Sequence, residues 1–153
     1  MSQANDIAEA IATRLATITV VNDYATDIGG KILRGRRRLD KTHLPCAVII
    51  ERDDEVKNEQ VIAGRTHQAK VAYKLILEGH AACDADNPNV VGHQIVADIK
   101  KAIFSTPITY GTKDAVLGIH YAGRSIAPRE DGTDVVAAAV EVFIEFVETL
   151  ANP

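Results

Sequence analysis

From Ala69 to Glu78 the side chains alternate in character. Ala69, Val71, Tyr73, Leu75 and Leu77 fall on one parity, and Lys70, Ala72, Lys74, Ile76 and Glu78 on the other. A period of two sends successive side chains to opposite faces, so this segment predicts a pleated strand with one apolar face. Val135 to about Val147 repeats the pattern. Ala138, Val140, Val142, Ile144 and Phe146 share one face, while Glu141, Phe143 and Glu145 share the other. Two such faces need apolar partners, and the sequence supplies them at helical spacing. Ala4, Ile7, Ala8, Ile11 and Leu15 recur at three- and four-residue steps, with Glu9, Thr13 and Arg14 off the stripe. Ser2 or Asn5 is placed to cap that helix, and the β-branched run Thr17–Val21 is expected to end it. A second helix is announced by Asn87 and Pro88, an N-cap with proline at the first helical position. Its stripe is Val91, Ile95, Ile99 and Ile103, with Asp98, Lys100 and Lys101 mostly off it.

Shorter strands are expected at Lys31–Arg34, at Pro45–Ile50 with Pro45 as the first residue, and at Ala115–Tyr121. Arg52 to Glu59 reads as an acidic loop. A loop with Pro128 and Asp131–Gly132 joins the last two strands as a long-looped antiparallel hairpin. The order helix, three strands, helix, two strands predicts an α+β domain, a mostly antiparallel sheet of about five strands with both helices on one face. Residues 1–153 are expected to form a single domain, long enough to bury a core of its own.

Composition removes several classes of function. A net charge of −4 argues against a general nucleic-acid coat, and the absence of Trp with only three Phe argues against a base-stacking platform. Two cysteines make no disulfide scaffold; reduced thiols in a cytosolic protein are expected. No apolar run approaches the ~18–20 residues of a membrane span, and Met1–Asp6 does not read as a signal peptide, so no membrane partner is expected.

The most enzyme-like pattern is a pair of His-x-x-Cys motifs, His43–Cys46 and His80–Cys83. Together they have the ligand set of a tetrahedral His₂Cys₂ zinc site. The plainer alternative makes Cys46 a small buried residue opening a strand and Cys83 a loop thiol, and Pro45 stiffens a pair that a metal would want on a tight turn. Gly123–Ala127 has the glycine and serine of a nucleophile elbow but is followed by Pro128 and an Asp–Gly turn in place of a helix. Gly29-Gly30-Lys31 is a turn, and no dinucleotide or Walker fingerprint occurs. Asp53, Asp54 and Glu55 sit without apolar neighbours to raise a pKa. His67, His93 and His120 default to surface or satisfied core positions. No catalytic residue, cofactor or metal is expected.

Charge is distributed unevenly. Residues 31–41 hold Lys31, Arg34, Arg36, Arg37, Arg38 and Lys41 against Asp40 alone, a balance of +5. Residues 129–148 hold Glu130, Asp131, Asp134, Glu141, Glu145 and Glu148 against Arg129, a balance of −5, and residues 51–59 add −3. An ordinary mixed surface is one explanation. The sharper one is a molecule with two oppositely charged sides, suited to head-to-tail contacts that close into a ring. On that reading the subunit-interface candidates are Arg34, Arg36, Arg37 and Arg38 facing Glu130, Asp131, Asp134, Glu141 and Glu145. Phe143, flanked by Glu141 and Glu145 opposite the apolar face, hints at a partner surface.

The order of these features resembles the tail terminator (tail completion, minor tail) proteins of long-tailed bacteriophages and prophages over nearly the whole chain. The resemblance rests on the N-terminal amphipathic helix leading into Val20–Thr26, the basic stretch Gly30–Arg36 before Leu44-Pro45, and an acidic segment, Arg52–Glu59, ahead of the alternating strand. It continues through the helix segment Ala97–Ile103, then Gly118–Tyr121 and the Glu130-Asp131-Gly132 hairpin. It implies a non-catalytic virion protein that forms a ring, commonly a hexamer, on the end of the tail tube. Such a ring stops tube growth and offers the head a docking face. The implied partners are further copies of the chain, the tail-tube protein, a head-completion or connector protein, and DNA passing through the hole. The implied location is the host bacterial cytoplasm during assembly and then the virion tail. The arginines then lie either at a neighbour or on the lumen. A small nucleic-acid-binding domain using Arg34–Arg38 is the alternative function.

Overall fold

A computed structural model of the chain describes residues 2–35, 38–61, 67–127 and 132–153. The first helix, α1 (Gln3–Leu15), starts at Ser2, whose hydroxyl accepts from the Asn5 N–H at 3.3 Å, and its Ile7, Ala8, Ile11 and Leu15 are buried. Beyond single turns at Val20–Asn22 and Ile28–Gly30 come a short β1 (Ile32–Arg34), a turn at Lys41–His43, and two long strands, β2 (Cys46–Gln60) and β3 (Gln68–Ala82). After them follow α2 (Pro88–Phe104), a two-stranded ribbon of β4 (Thr109–Tyr110) and β5 (Ala115–Val116), then β6 (Gly118–Ile126) and β7 (Val135–Thr149). Among the described residues, no helix is long and apolar enough to cross a membrane.

The fold is α+β, with a mixed five-stranded sheet in the order β1-β2-β3-β7-β6. Only β1, which runs parallel to β2, departs from antiparallel pairing. The alternation seen in the sequence sorts the two faces. Val71, Tyr73, Leu75 and Leu77 of β3 and Val136 to Phe146 of β7 pack with Ile7, Ile11 and Leu15 of α1 and Ile95, Ile99 and Ile103 of α2 in one core. Both helices therefore lie on that face. The opposite face carries Lys70, Lys74, Glu141, Phe143 and Glu145, and no helix among the described residues lies over it.

Two polar side chains hold the helices in place. Arg14, in the last turn of α1, donates to the carbonyls of Ala102, Thr106 and Pro107 at 3.0, 3.1 and 2.9 Å, taking up acceptors that the end of α2 leaves open. Asp98 of α2 is only 5% exposed although it lies off the apolar stripe. Its carboxylate accepts from the backbone N–H of Ala25 and Thr26 and from the Thr26 hydroxyl, at 3.1, 2.8 and 2.7 Å. A charge so well supplied with donors can be buried without penalty from missing partners.

Two sequence expectations need correction. Arg52–Glu59 is no loop: it is the distal part of β2, paired with β3 from Glu51↔Leu75 to Gln60↔Gln68. Backbone groups on β3 need partners whatever the side chains opposite, and an edge strand tolerates charge on both faces. Shifts in register between Glu51 and Asp54, and between Val56 and Asn58, break the period that would have revealed it. Ala115–Tyr121 is likewise not one strand. It divides at Leu117, whose N–H donates to Ile108 O, and the second part continues to Ile126, so the glycine–serine motif lies in a strand.

Asp98→Ala would leave the buried N–H and hydroxyl of Thr26, and the N–H of Ala25, without their acceptor. It is expected to lower unfolding free energy by about 1–3 kcal/mol, read from urea denaturation.

Candidate assembly surfaces

Arg34, the last residue of β1, sits opposite Ile49 on the edge of the sheet. One guanidinium nitrogen, Nη1, donates to Asn5 Oδ1 at 3.0 Å and Glu9 Oε1 at 2.7 Å, both on α1, and Nη2 donates to Glu51 Oε1 at 2.8 Å. The same Glu51 oxygen accepts from the Tyr73 hydroxyl at 2.6 Å. Arg34 Nε is buried with no partner among the described residues. Burial works against the Arg34 charge, but Glu51 and Glu9 outweigh it and raise its pKa. Burial also pushes Glu51 up; the Tyr73 and Arg34 hydrogen bonds outweigh this and hold its carboxyl below the usual range. Tyr73 is pushed well up, by burial first and then by Glu51. The group ties α1 to the sheet edge, so Arg34 is engaged within its own subunit.

The other interface candidates are dispersed. Arg38 is exposed, while Arg36, Arg37, Glu130 and Asp131 lie outside the described residues. Asp134 pairs with Lys41 at 3.1 Å, so part of the basic segment already meets the acidic one within a subunit. Glu141 is exposed on the open face, opposite Gly123. Glu145 binds Lys70 Nζ at 2.7 Å, and that contact first of all holds its carboxyl below the usual range. His120 approaches Glu145 at 3.9 Å and stacks on half-buried Phe143, ring centres 4.6 Å apart.

The structure does not gather the two His-x-x-Cys pairs into one set of ligands. Cys46 and His80 are cross-strand partners, but the Cys46 thiol is buried and pushed up by that burial. His80 Nε2 lies 3.0 Å from Glu78, and His43 Nδ1 accepts from the Asp40 N–H at 3.2 Å. Among the described residues, no three His, Cys, Asp or Glu side chains converge as metal ligands would. An open groove of about 1050 Å³ runs between α1 (Asp6, Glu9), the β4–β5 turn (Tyr110, Lys113) and Val147 at the end of β7. Among the described residues, no His, Cys or Ser lines it.

The charged segments are not at opposite edges. Arg34 ends β1 at one edge of the sheet and β6 forms the other, but Glu141, Glu145 and Glu148 lie on β7, between β3 and β6, and Asp134 meets Lys41. The two edges themselves went unread in the sequence. β1 covers β2 only at Ala47–Ile49, and β6 is paired on one side only. Asp54 also departs from expectation: burial, then repulsion from Asp53, holds its carboxyl above the usual range. The chain matches no family model and no curated protein.

Glu51 and Asp54 should respond to pH with opposite sign. The folded pKa of Glu51 lies below its unfolded value, so its contribution is present at neutral pH and fades as pH falls below about 4.5. The stability gap between the natural chain and Glu51→Gln should therefore narrow in melts taken from pH 7 down to acid. Asp54 has a raised folded pKa, so its ionisation costs stability above that value. Asp54→Asn is expected to leave the melting temperature at pH 7 unchanged or slightly higher.

Proposed function

We propose that the chain is a structural protein of a long-tailed phage or prophage. It would form a ring on the end of the tail tube, ending tube polymerisation and presenting a face to the head. The observation that carries this reading is the pair of strand edges left unpaired among the described residues at opposite margins of one sheet, β2 beyond Ile49 and β6. A subunit with an open edge at each margin can meet the next one head to tail, and such contacts close when the rotation permits. The open sheet face and the lack of a converging metal set among the described residues fit an assembly role. The resemblance to tail terminators along the chain supplies the identity of the assembly.

The partners on this reading are further copies of the chain, in a ring that is a hexamer when assembled, the tail-tube protein, and a head-completion or connector protein. DNA passes through the hole without specific contact. The protein works in the host cytoplasm and then in the virion tail. With Arg34 held by Glu9 and Glu51, the basic side of the contact falls to Arg36, Arg37 and Arg38, facing Glu130 and Asp131. The same engagement weakens the alternative of a nucleic-acid-binding domain, whose phosphate footprint would lose its first arginine.

Purified protein added to polymerising tail-tube protein should give shorter tubes with rings at their ends in electron micrographs; unaltered tube lengths would overturn the reading. The ring itself should respond to salt. Screening shortens from about 30 Å at 0.01 M to about 3 Å at 1 M, so light scattering should show the assembly dissociating across that range. Arg36→Glu with Arg37→Glu should have the same effect at low salt.

A further inference from the structure

Beyond Ile49, where β1 ends and the Gly35 N–H donates to the Ile49 carbonyl at 2.8 Å, no strand among the described residues pairs with the outer edge of β2. Glu51–Gln60 is thus ten residues of strand with one side of its backbone ladder open. At the far end of the sheet the outer edge of β6 is open along Gly118–Ile126. Edges this long are normally shortened, interrupted by proline or covered, because they template pairing with another chain. Neither segment contains proline.

The two edges are complementary in three respects. The first is charge. Glu51–Gln60 carries Glu51, Asp53, Asp54, Glu55 and Glu59 against Arg52 and Lys57, whereas Gly118–Ile126 carries Arg124 and His120 and no acid. Alongside β6, α2 adds Lys100, whose ammonium lies 4.5 Å over the Tyr121 ring, and His93, 3.4 Å from Arg124. Like edges would repel each other; unlike edges attract. The second is direction. Successive antiparallel pairings from β2 through β3 and β7 leave β6 antiparallel to β2. A second copy set beside the first in the same orientation therefore offers its β6 antiparallel to β2, with no inversion of the subunit. The third is facing. Val56, 60% exposed, and Tyr121, 46% exposed, both lie on the helix-bearing side of the sheet, Val56 opposite Val71 and Tyr121 opposite Val142.

We propose that copies of this chain join edge to edge, β6 of one adding antiparallel to Glu51–Gln60 of the next, with Val56 beside Tyr121 of the neighbouring copy. This rests on the reading of the chain as a ring-forming subunit and names how the subunits meet. In this register Arg124 falls near Asp54 on the same face, with Asp53 in the adjoining bulge. A cation there counters the repulsion from Asp53 that helps hold the Asp54 carboxyl above its usual range. The same alignment brings the start of the β6–β7 loop toward β1, the side from which the basic segment leaves. Each copy keeps one edge of each kind, so the contact repeats.

Paired Cβ atoms across a ladder lie about 4.5–5.5 Å apart, close enough for a disulfide after slight adjustment. In a Cys83→Ser background, mild oxidation of the Val56→Cys/Tyr121→Cys chain should give a ladder of linked multimers on a non-reducing gel. Either single variant should stop at dimers. A double variant that links no further than the singles overturns the proposal. Asp53→Lys/Asp54→Lys and Arg124→Glu, each confirmed folded by circular dichroism, should each weaken association about tenfold or more. Mixed in equal amounts they should associate again, since each then offers the edge the other needs; failure to recover also overturns it. A ring seen by light scattering without the disulfide ladder sinks edge pairing and leaves the tail reading standing. A ladder formed by protein that does not cap tail tubes does the reverse.

Discussion

The ladder between β3 and β7 is the constraint on which everything else depends. It runs unbroken from Gln68↔Thr149 to Ala82↔Val135, without a bulge. Both strands carry their apolar side chains on the same face because the register is even along its whole length. A slip of one residue would turn the whole apolar set of the slipped strand outward, Leu75 and Leu77 on β3 or Val140 and Val142 on β7. The helices have nowhere else to bury Ile11, Ile95 and Ile99. The unbroken ladder also gives the sheet two parallel-sided margins, and the interesting chemistry is at the margins.

Those margins are managed differently. At the β1 end the Arg34 guanidinium gathers Asn5, Glu9 and Glu51, so the first helix is anchored to the sheet where β1 stops. A cation that looks free in the sequence is thereby a structural tie. The charge that remains for partners lies on the distal half of β2 and on the β6 side, along backbone that still has donors and acceptors to share.

Much of this was legible in the sequence because period and burial coincide there. The alternation of Ala69–Glu78 and of Val135–Val147, and the stripes Ile7–Leu15 and Val91–Ile103, are direct imprints of one buried face. Glu51–Gln60 left no such imprint: both faces are wet and two bulges interrupt the period, so only the partner strand reveals it as a strand. The burial of Asp98 left no sign in the sequence, because it depends on the Ala25 and Thr26 amides, more than seventy residues distant. The engagement of Arg34 was equally hidden, since Glu9, Glu51 and Tyr73 come from three separate elements.

The central ladder joins residues between 53 and 81 positions apart, whereas β2–β3 and β6–β7 are local hairpins. Loop-closure entropy makes the distant pairing the slow one, so each hairpin can form early while the two wait for each other. Neither hairpin alone hides its apolar face. The molecule is therefore held at a single seam, and opening that seam exposes the core of both halves at once. Folding and unfolding should accordingly be all-or-none across the seam, with no stable half-molecule on either side.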